Sequence, residues 1–125
     1  MKFSHPLMHN NFNNSDINKA VKFLKKKNKT LTQSLNVKIF EKNWSKWLGV
    51  KYSVFVNSGS SANLLTISIL KILYGKCEII LPSLTWVSDI NSVIQNGFKP
   101  VFVDINPKNL CMSESEIIKK INRNT

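Results

Sequence analysis

The stretch Val56-Asn-Ser-Gly-Ser-Ser-Ala-Asn63 holds the residue types and spacing in this chain best suited to chemistry. Gly59 lets a backbone take φ > 0 and approach a ligand closely. Ser60 and Ser61 bring hydroxyls and free N–H groups to a helix start, where the dipole favours an anion. The chemistry expected is phosphate binding. A plainer role stays open from these residues alone, a strand-to-helix connection with Ser60 as the N-cap. The loop is not a P-loop, since no Gly-Lys-Ser/Thr follows, and it is not a Gly-x-Gly-x-x-Gly dinucleotide turn. His5 and His9 are the only histidines and have no cysteine or carboxylate neighbours to complete a metal site. Cys77 and Cys111 form no Cys-x-x-Cys pair, so buried reduced thiols are expected. Asp104 either faces the same edge as the loop or caps the turn after it, and it is given no role.

The elements that must position this loop follow from periodicity. Ile17, Ala20, Val21 and Leu24 follow Ser15, a candidate N-cap, at the i, i+3, i+4, i+7 spacing of an amphipathic helix. Lys25, Lys26 and Lys27 then complement its C-terminal end. Val37, Phe40, Trp44, Trp47 and Leu48 trace a second helical face, with Gly49 placed to stop it and the two tryptophans expected in the core. Strands are predicted at 52–56, 78–81 and 100–104. Helices are predicted between them at 62–74 and 86–95, ending at Gly75 and Gly97, and Ser113 with Glu116 reads as a capping box for a last helix. Alternation of this kind predicts an α/β fold with a parallel sheet. There is no repeat, no low-complexity tract and no linker, so residues 1–125 read as one unit with two leading helices and no second domain.

Composition sets further bounds. A chain of 125 residues with 42% hydrophobic content suffices for one core. No apolar run approaches the roughly 20 residues of a membrane span, and the first residues lack the apolar region of a secretory leader, so a cytoplasmic protein is expected. The net charge of +11 raises nucleic acid as a partner. Against it, seventeen of the eighteen basic residues are lysine, whereas phosphate and base recognition favour arginine, and sixteen asparagines point to a bias of the whole sequence.

Asn57-Ser-Gly-Ser-Ser-Ala-Asn-Leu-Leu65, then Leu81-Pro-Ser-Leu-Thr-Trp-Val-Ser-Asp89, then Gly97-Phe-Lys-Pro-Val-Phe-Val-Asp-Ile105 together resemble the DegT/DnrJ/EryC1/StrS family of pyridoxal-phosphate enzymes, in order and in separation. The segment from Phe40 to Val54 resembles that family's helix before the first strand, so the resemblance runs from about the first helix to the end. It implies the large-domain sheet of the aspartate-aminotransferase type, pyridoxal 5′-phosphate as cofactor, and a homodimer with active sites at the interface. The implied reactants are a nucleotide-linked keto-sugar and an amino donor, in cell-surface polysaccharide assembly. By the same resemblance Gly59, Ser60 and Ser61 match the cofactor-phosphate loop, and Trp86 matches the aromatic residue stacked on the pyridine ring. From its spacing alone Trp86 reads equally as a helix core residue.

The family's Schiff-base lysine and the acidic partner of the pyridinium nitrogen belong to segments after Thr125, so no catalytic residue is assigned. Three parallel strands would also leave unpaired edges. The expectation is therefore an N-terminal portion of an incomplete large domain, inactive by itself. Aminotransferase is the first reading, and the family's 3-dehydrase branch, which shares the Ser-Gly-Ser-Ser-Ala-Asn-Leu-Leu wording, is the second. From another class stands a non-catalytic module that binds a phosphorylated ligand or nucleic acid.

Overall fold

Two amphipathic helices lead the chain, α1 (Asn14–Leu24) and α2 (Leu35–Leu48), in a computed structural model that describes residues 8–125. The leader reading of the first residues and His5 lie outside the described residues. The N-cap of α1 is Asn13, two residues before the Ser15 expected. Its Oδ1 accepts from the Asp16 N–H at 3.0 Å and its own N–H donates to Asp16 Oδ2 at 3.3 Å, a reciprocal box that Ser15 cannot form. Gly49 ends α2 at φ 77°, a left-handed value that a side chain would strain.

The described residues divide into two compact units, 8–55 and 56–125. In the first, the chain after Gly49 returns along α2. Buried Ser45 donates to Ser53 Oγ at 2.8 Å, the Phe55 N–H donates to Glu41 Oε1 at 2.9 Å, and the Phe55 ring stands edge-on to Phe40 at 5.3 Å. These contacts correct the strand predicted at 52–56. The segment is extended, but it pairs with helix side chains and has no ladder partner among the described residues, and a strand needs a partner to exist. Trp44 and Trp47 are corrected as well. They pack on each other at 4.9 Å, with Phe40 stacked on Trp44, yet Trp47 is 74% exposed, so the cluster is a surface feature of the described residues and not a core.

The second unit is a β-α-β body. Helix α3 (Gly59–Tyr74) leads to strand β1 (Glu78–Pro82), helix α4 (Val87–Gln95), strand β2 (Lys99–Val103) and helix α5 (Glu114–Lys120). The two strands are parallel, in register from Glu78 opposite Lys99 to Pro82 opposite Val103, and α4 is the crossover between them. Val93 of α4 is fully buried, with Phe98 and Val103 beside it in burial, so the core lies where α4 covers the sheet. Gly97 takes φ 76°, which lets its N–H reach Ile94 O and the Phe98 N–H reach Val93 O, closing the helix directly into β2.

Two local readings change here. The capping box at Ser113 is not formed, because Ser113 Oγ pairs with Ser115 Oγ and Glu116 is held by Lys119 at 2.6 Å. Cys77 is half-buried but Cys111 is exposed, on the turn between β2 and α5, so the expected burial fails there. Leu65, Ile69, Ile72, Leu73 and Tyr74 leave much of α3 exposed, although a helix apolar on nearly every side is one that packing normally buries.

Candidate cofactor-phosphate site

The loop before α3 is organised by Ser58. This residue is extended, and its Oγ accepts the Ser61 N–H at 3.2 Å, so Ser58 is the N-cap and Ser60 is not. Its carbonyl receives the Ala62 N–H. The N–H groups of Gly59 and Ser60 remain, and neither has a partner among the described residues. Both lie on the exposed start of a 16-residue helix, whose dipole concentrates partial positive charge there. Two free donors and a helix N-terminus form an anion-binding arrangement.

Gly59 departs from expectation in its reason. It is the first residue of α3 and does not take positive φ; the described glycines that do are Gly49, Gly75 and Gly97. Packing does not require a glycine there either, since a Cβ placed on it would meet nothing within 4 Å; the position simply opens onto free space. The two serines also differ. Ser60 Oγ has no hydrogen-bond partner among the described residues, whereas Ser61 Oγ donates to Asn57 Oδ1 at 2.6 Å and lies 3.1 Å from Ser58 Oγ. Ser60 is ready to donate to an anion, and Ser61 holds the shape of the loop.

Trp86 is the N-cap residue of α4, in extended conformation, and its side chain is 70% exposed. This excludes a core role within the described residues and leaves the indole face open. The turn that carries Trp86 follows the C-terminal end of β1, where the Ser83 N–H donates to Val103 O at 2.8 Å. In parallel sheets this is the edge at which ligands bind. Asp104 at that edge is occupied locally, its Oδ1 accepting the Ile105 N–H, which is the turn-capping alternative.

The starts of α3 and α4 are tied together by a contact that sequence reasoning missed. Asn63 Nδ2 donates to Asp89 Oδ1 at 2.5 Å, and Thr85 Oγ1 donates to Asp89 Oδ2 at 2.5 Å. Asn63 and Asp89 are 26 positions apart, so no local periodicity could have paired them. A cleft of about 340 Å³ between the helices is lined by Ser60, Ser61 and Leu64 on one side and Val87, Ser88 and Asn91 on the other. None of its lining residues is charged, so an anion would be held by N–H and hydroxyl donors. Ser60 and Ser61 thus share a cleft with Val87, the residue next to Trp86. The residues present fit a phosphorylated aromatic ligand: free donors and room at Gly59, and an open indole on a tethered turn. Among the described residues no group of three potential ligands could hold a metal ion, and no helix is long and apolar enough to cross a membrane.

A family model described as the DegT/DnrJ/EryC1/StrS aminotransferase family matches residues 11–125. Among curated proteins, the GDP-perosamine synthase of Vibrio cholerae is 36% identical over 86 residues, covering 69% of this chain and 23% of that protein. The GDP-4-keto-6-deoxy-D-mannose 3-dehydratase of Yersinia pseudotuberculosis is 36% identical over 100 residues, covering 75% and 25%. Among solved structures, an E. coli GDP-4-keto-6-deoxy-D-mannose-3-dehydratase with bound hydrated PLP superposes with a TM-score of 0.82 at 28% identity, covering 98% of this chain and 32% of that one. A Helicobacter pylori aminotransferase involved in the biosynthesis of pseudoaminic acid follows at 0.77 and 28%, covering 91% and 30%. The chain therefore spans about a quarter of the length of these curated relatives. The architecture is the expected α/β one, part of an aminotransferase-type fold.

Proposed function

This chain belongs to the DegT/DnrJ/EryC1/StrS aminotransferase family, and from that premise we propose that it forms the cofactor-phosphate end of a pyridoxal-phosphate-dependent aminotransferase acting on a nucleotide-linked keto-sugar. The observation that carries the reading is the pair of free N–H groups at Gly59 and Ser60, on a helix start tethered to the turn that exposes Trp86.

When bound, pyridoxal 5′-phosphate supplies the electron sink for amino-group transfer, which leaves binding and orientation to the protein. The Gly59 and Ser60 N–H groups and Ser60 Oγ hold the phosphate, and the α3 dipole lowers the cost of its charge. The Trp86 indole keeps the ring in one plane. No residue of 1–125 is assigned a proton-transfer role, so these residues alone bind without turnover. Both compact units belong to one large domain, which works as a cytoplasmic homodimer.

A second reading, the 3-dehydratase, is favoured by a specific observation: three of the similar structures are GDP-4-keto-6-deoxymannose 3-dehydratases, each at a TM-score of 0.82. Both readings share the cofactor and the class of sugar.

The test has two parts. The chain should bind pyridoxal 5′-phosphate in competition with inorganic phosphate, and retention of duplex DNA in preference to the cofactor would overturn the reading. In the full-length protein, a GDP-linked 4-keto-6-deoxy sugar with glutamate should give an amino sugar for an aminotransferase and a 3-deoxy sugar for a dehydratase.

A further inference from the structure

Asp89 links helix α3, which carries the phosphate loop, to the turn that carries Trp86. Its two carboxylate oxygens are committed to different segments, Oδ1 to Asn63 on α3 and Oδ2 to Thr85, the residue before Trp86. Its backbone N–H donates to the Trp86 carbonyl at 3.0 Å, and its carbonyl accepts from Ser92 Oγ at 2.8 Å. Asp89 therefore brackets Trp86 on both sides, from the side chain and from the main chain. Asn63 sits one helical turn beyond Gly59, so the Asn63 bond ties the turn that carries the indole to the helix that carries the phosphate donors.

The pairing is specific in its chemistry. Asp89 and Asn63 are half-buried, both donors to the carboxylate are neutral, and hydrogen bonds to an ionised acceptor are among the stronger ones. The seam continues away from the site: Asn96 Nδ2 donates to Ser92 O at 2.8 Å, and Ser68 Oγ donates to Asn96 Oδ1 at 2.9 Å, a second tie between α3 and α4. With that lower tie in place, the helices stay together without Asp89. What Asp89 adds is the spacing at their N-terminal ends.

We propose that Asp89 is a positioning residue that fixes the distance between the Trp86 ring platform and the Gly59–Ser61 phosphate cup, so that both engage one cofactor molecule at once. The inference rests on the function proposed above. It requires that losing Asp89 weaken a ligand bearing both ring and phosphate while sparing a ligand that is phosphate alone.

The test is made on the full chain with two probes, pyridoxal 5′-phosphate and inorganic phosphate, and two readouts: affinity, and the induced circular dichroism of the bound cofactor. Asp89→Ala removes both bonds, to Asn63 and to Thr85, and leaves the Ser68–Asn96 tie between α3 and α4 in place. It is expected to weaken pyridoxal phosphate about 10-fold, about 1.4 kcal/mol, to reduce the induced dichroism at saturation, and to leave inorganic phosphate unchanged. The exchange Asn63→Asp with Asp89→Asn rebuilds the pair with donor and acceptor reversed, and should restore both affinity and dichroism. If Asp89→Ala does not fold, Thr85→Val carries the same comparison by removing one of the two bonds. Unchanged cofactor affinity and dichroism in the single variant, equal loss for both probes, or a folded exchange variant that fails to recover would overturn the positioning role. A wild-type chain that binds neither probe would instead overturn the cofactor reading, and the positioning role with it, before any variant is made.

Discussion

Replacing Ser58 and Ser60 separately by Ala separates the start of the helix from the anion site. Ser58 Oγ accepts the Ser61 N–H at 3.2 Å and is the N-cap of α3, so Ser58→Ala leaves that donor without a partner. Loss of such a cap costs about 1 kcal/mol. For a unit the size of 56–125 that corresponds to a fall in thermal midpoint of roughly 4–8 °C. Ser60 Oγ has no partner among the described residues and is exposed, so Ser60→Ala should change stability by no more than about 0.5 kcal/mol. Its effect belongs to the ligand. A hydrogen bond to a charged group contributes about 1.5–3 kcal/mol, and with two backbone donors retained the expectation is the low end, about 10-fold weaker phosphate binding. Thermal melts followed by near-UV circular dichroism, with and without pyridoxal 5′-phosphate, read both quantities. The reasoning is refuted if Ser60→Ala melts as early as Ser58→Ala, or if it binds pyridoxal phosphate as tightly as the wild type.

Trp86→Ala should leave the melting temperature nearly unchanged, because its side chain is 70% exposed, while weakening pyridoxal phosphate binding; Trp86→Phe should retain most of it, as equilibrium dialysis would show. Val93→Ala removes two carbons from a fully buried site, and a loss of about 2 kcal/mol is expected in urea unfolding. Lys99 at 2.7 Å, helped by the Asn122 amide, holds Glu78 below its ordinary value of 4.5. That contribution is complete above 4.5 and is lost as pH falls through the lower folded value. The difference in thermal midpoint between wild type and Glu78→Gln should therefore shrink on acidification, and it should be small at high salt. The exposed face of α3, with Leu65, Ile69, Ile72 and Leu73, predicts self-association of residues 1–125 made as a polypeptide, which sedimentation velocity would detect and Ile72→Lys should reduce.

Much of this molecule is written in local sequence. The amphipathic spacings of α1 and α2, the glycines that close α2, α3 and α4, and the alternation of apolar strand and helix all depend on neighbours within a few residues. The candidate site was legible for the same reason, because a Ser-Gly-Ser-Ser helix start carries its own donors wherever it is placed. Tertiary structure decided what depends on partners far away. Segment 52–56 has the residues of a strand, but its hydrogen bonds go to the Glu41 and Ser45 side chains of α2, so β propensity alone did not make it one. Trp44 and Trp47 have the spacing of a core face, yet burial requires a covering surface, and the described residues supply none. The link between Asn63 and Asp89 has no sequence signal, because the fold brings the two residues together only by stacking α4 on α3. Periodicity names the face a residue occupies; packing alone decides what that face meets.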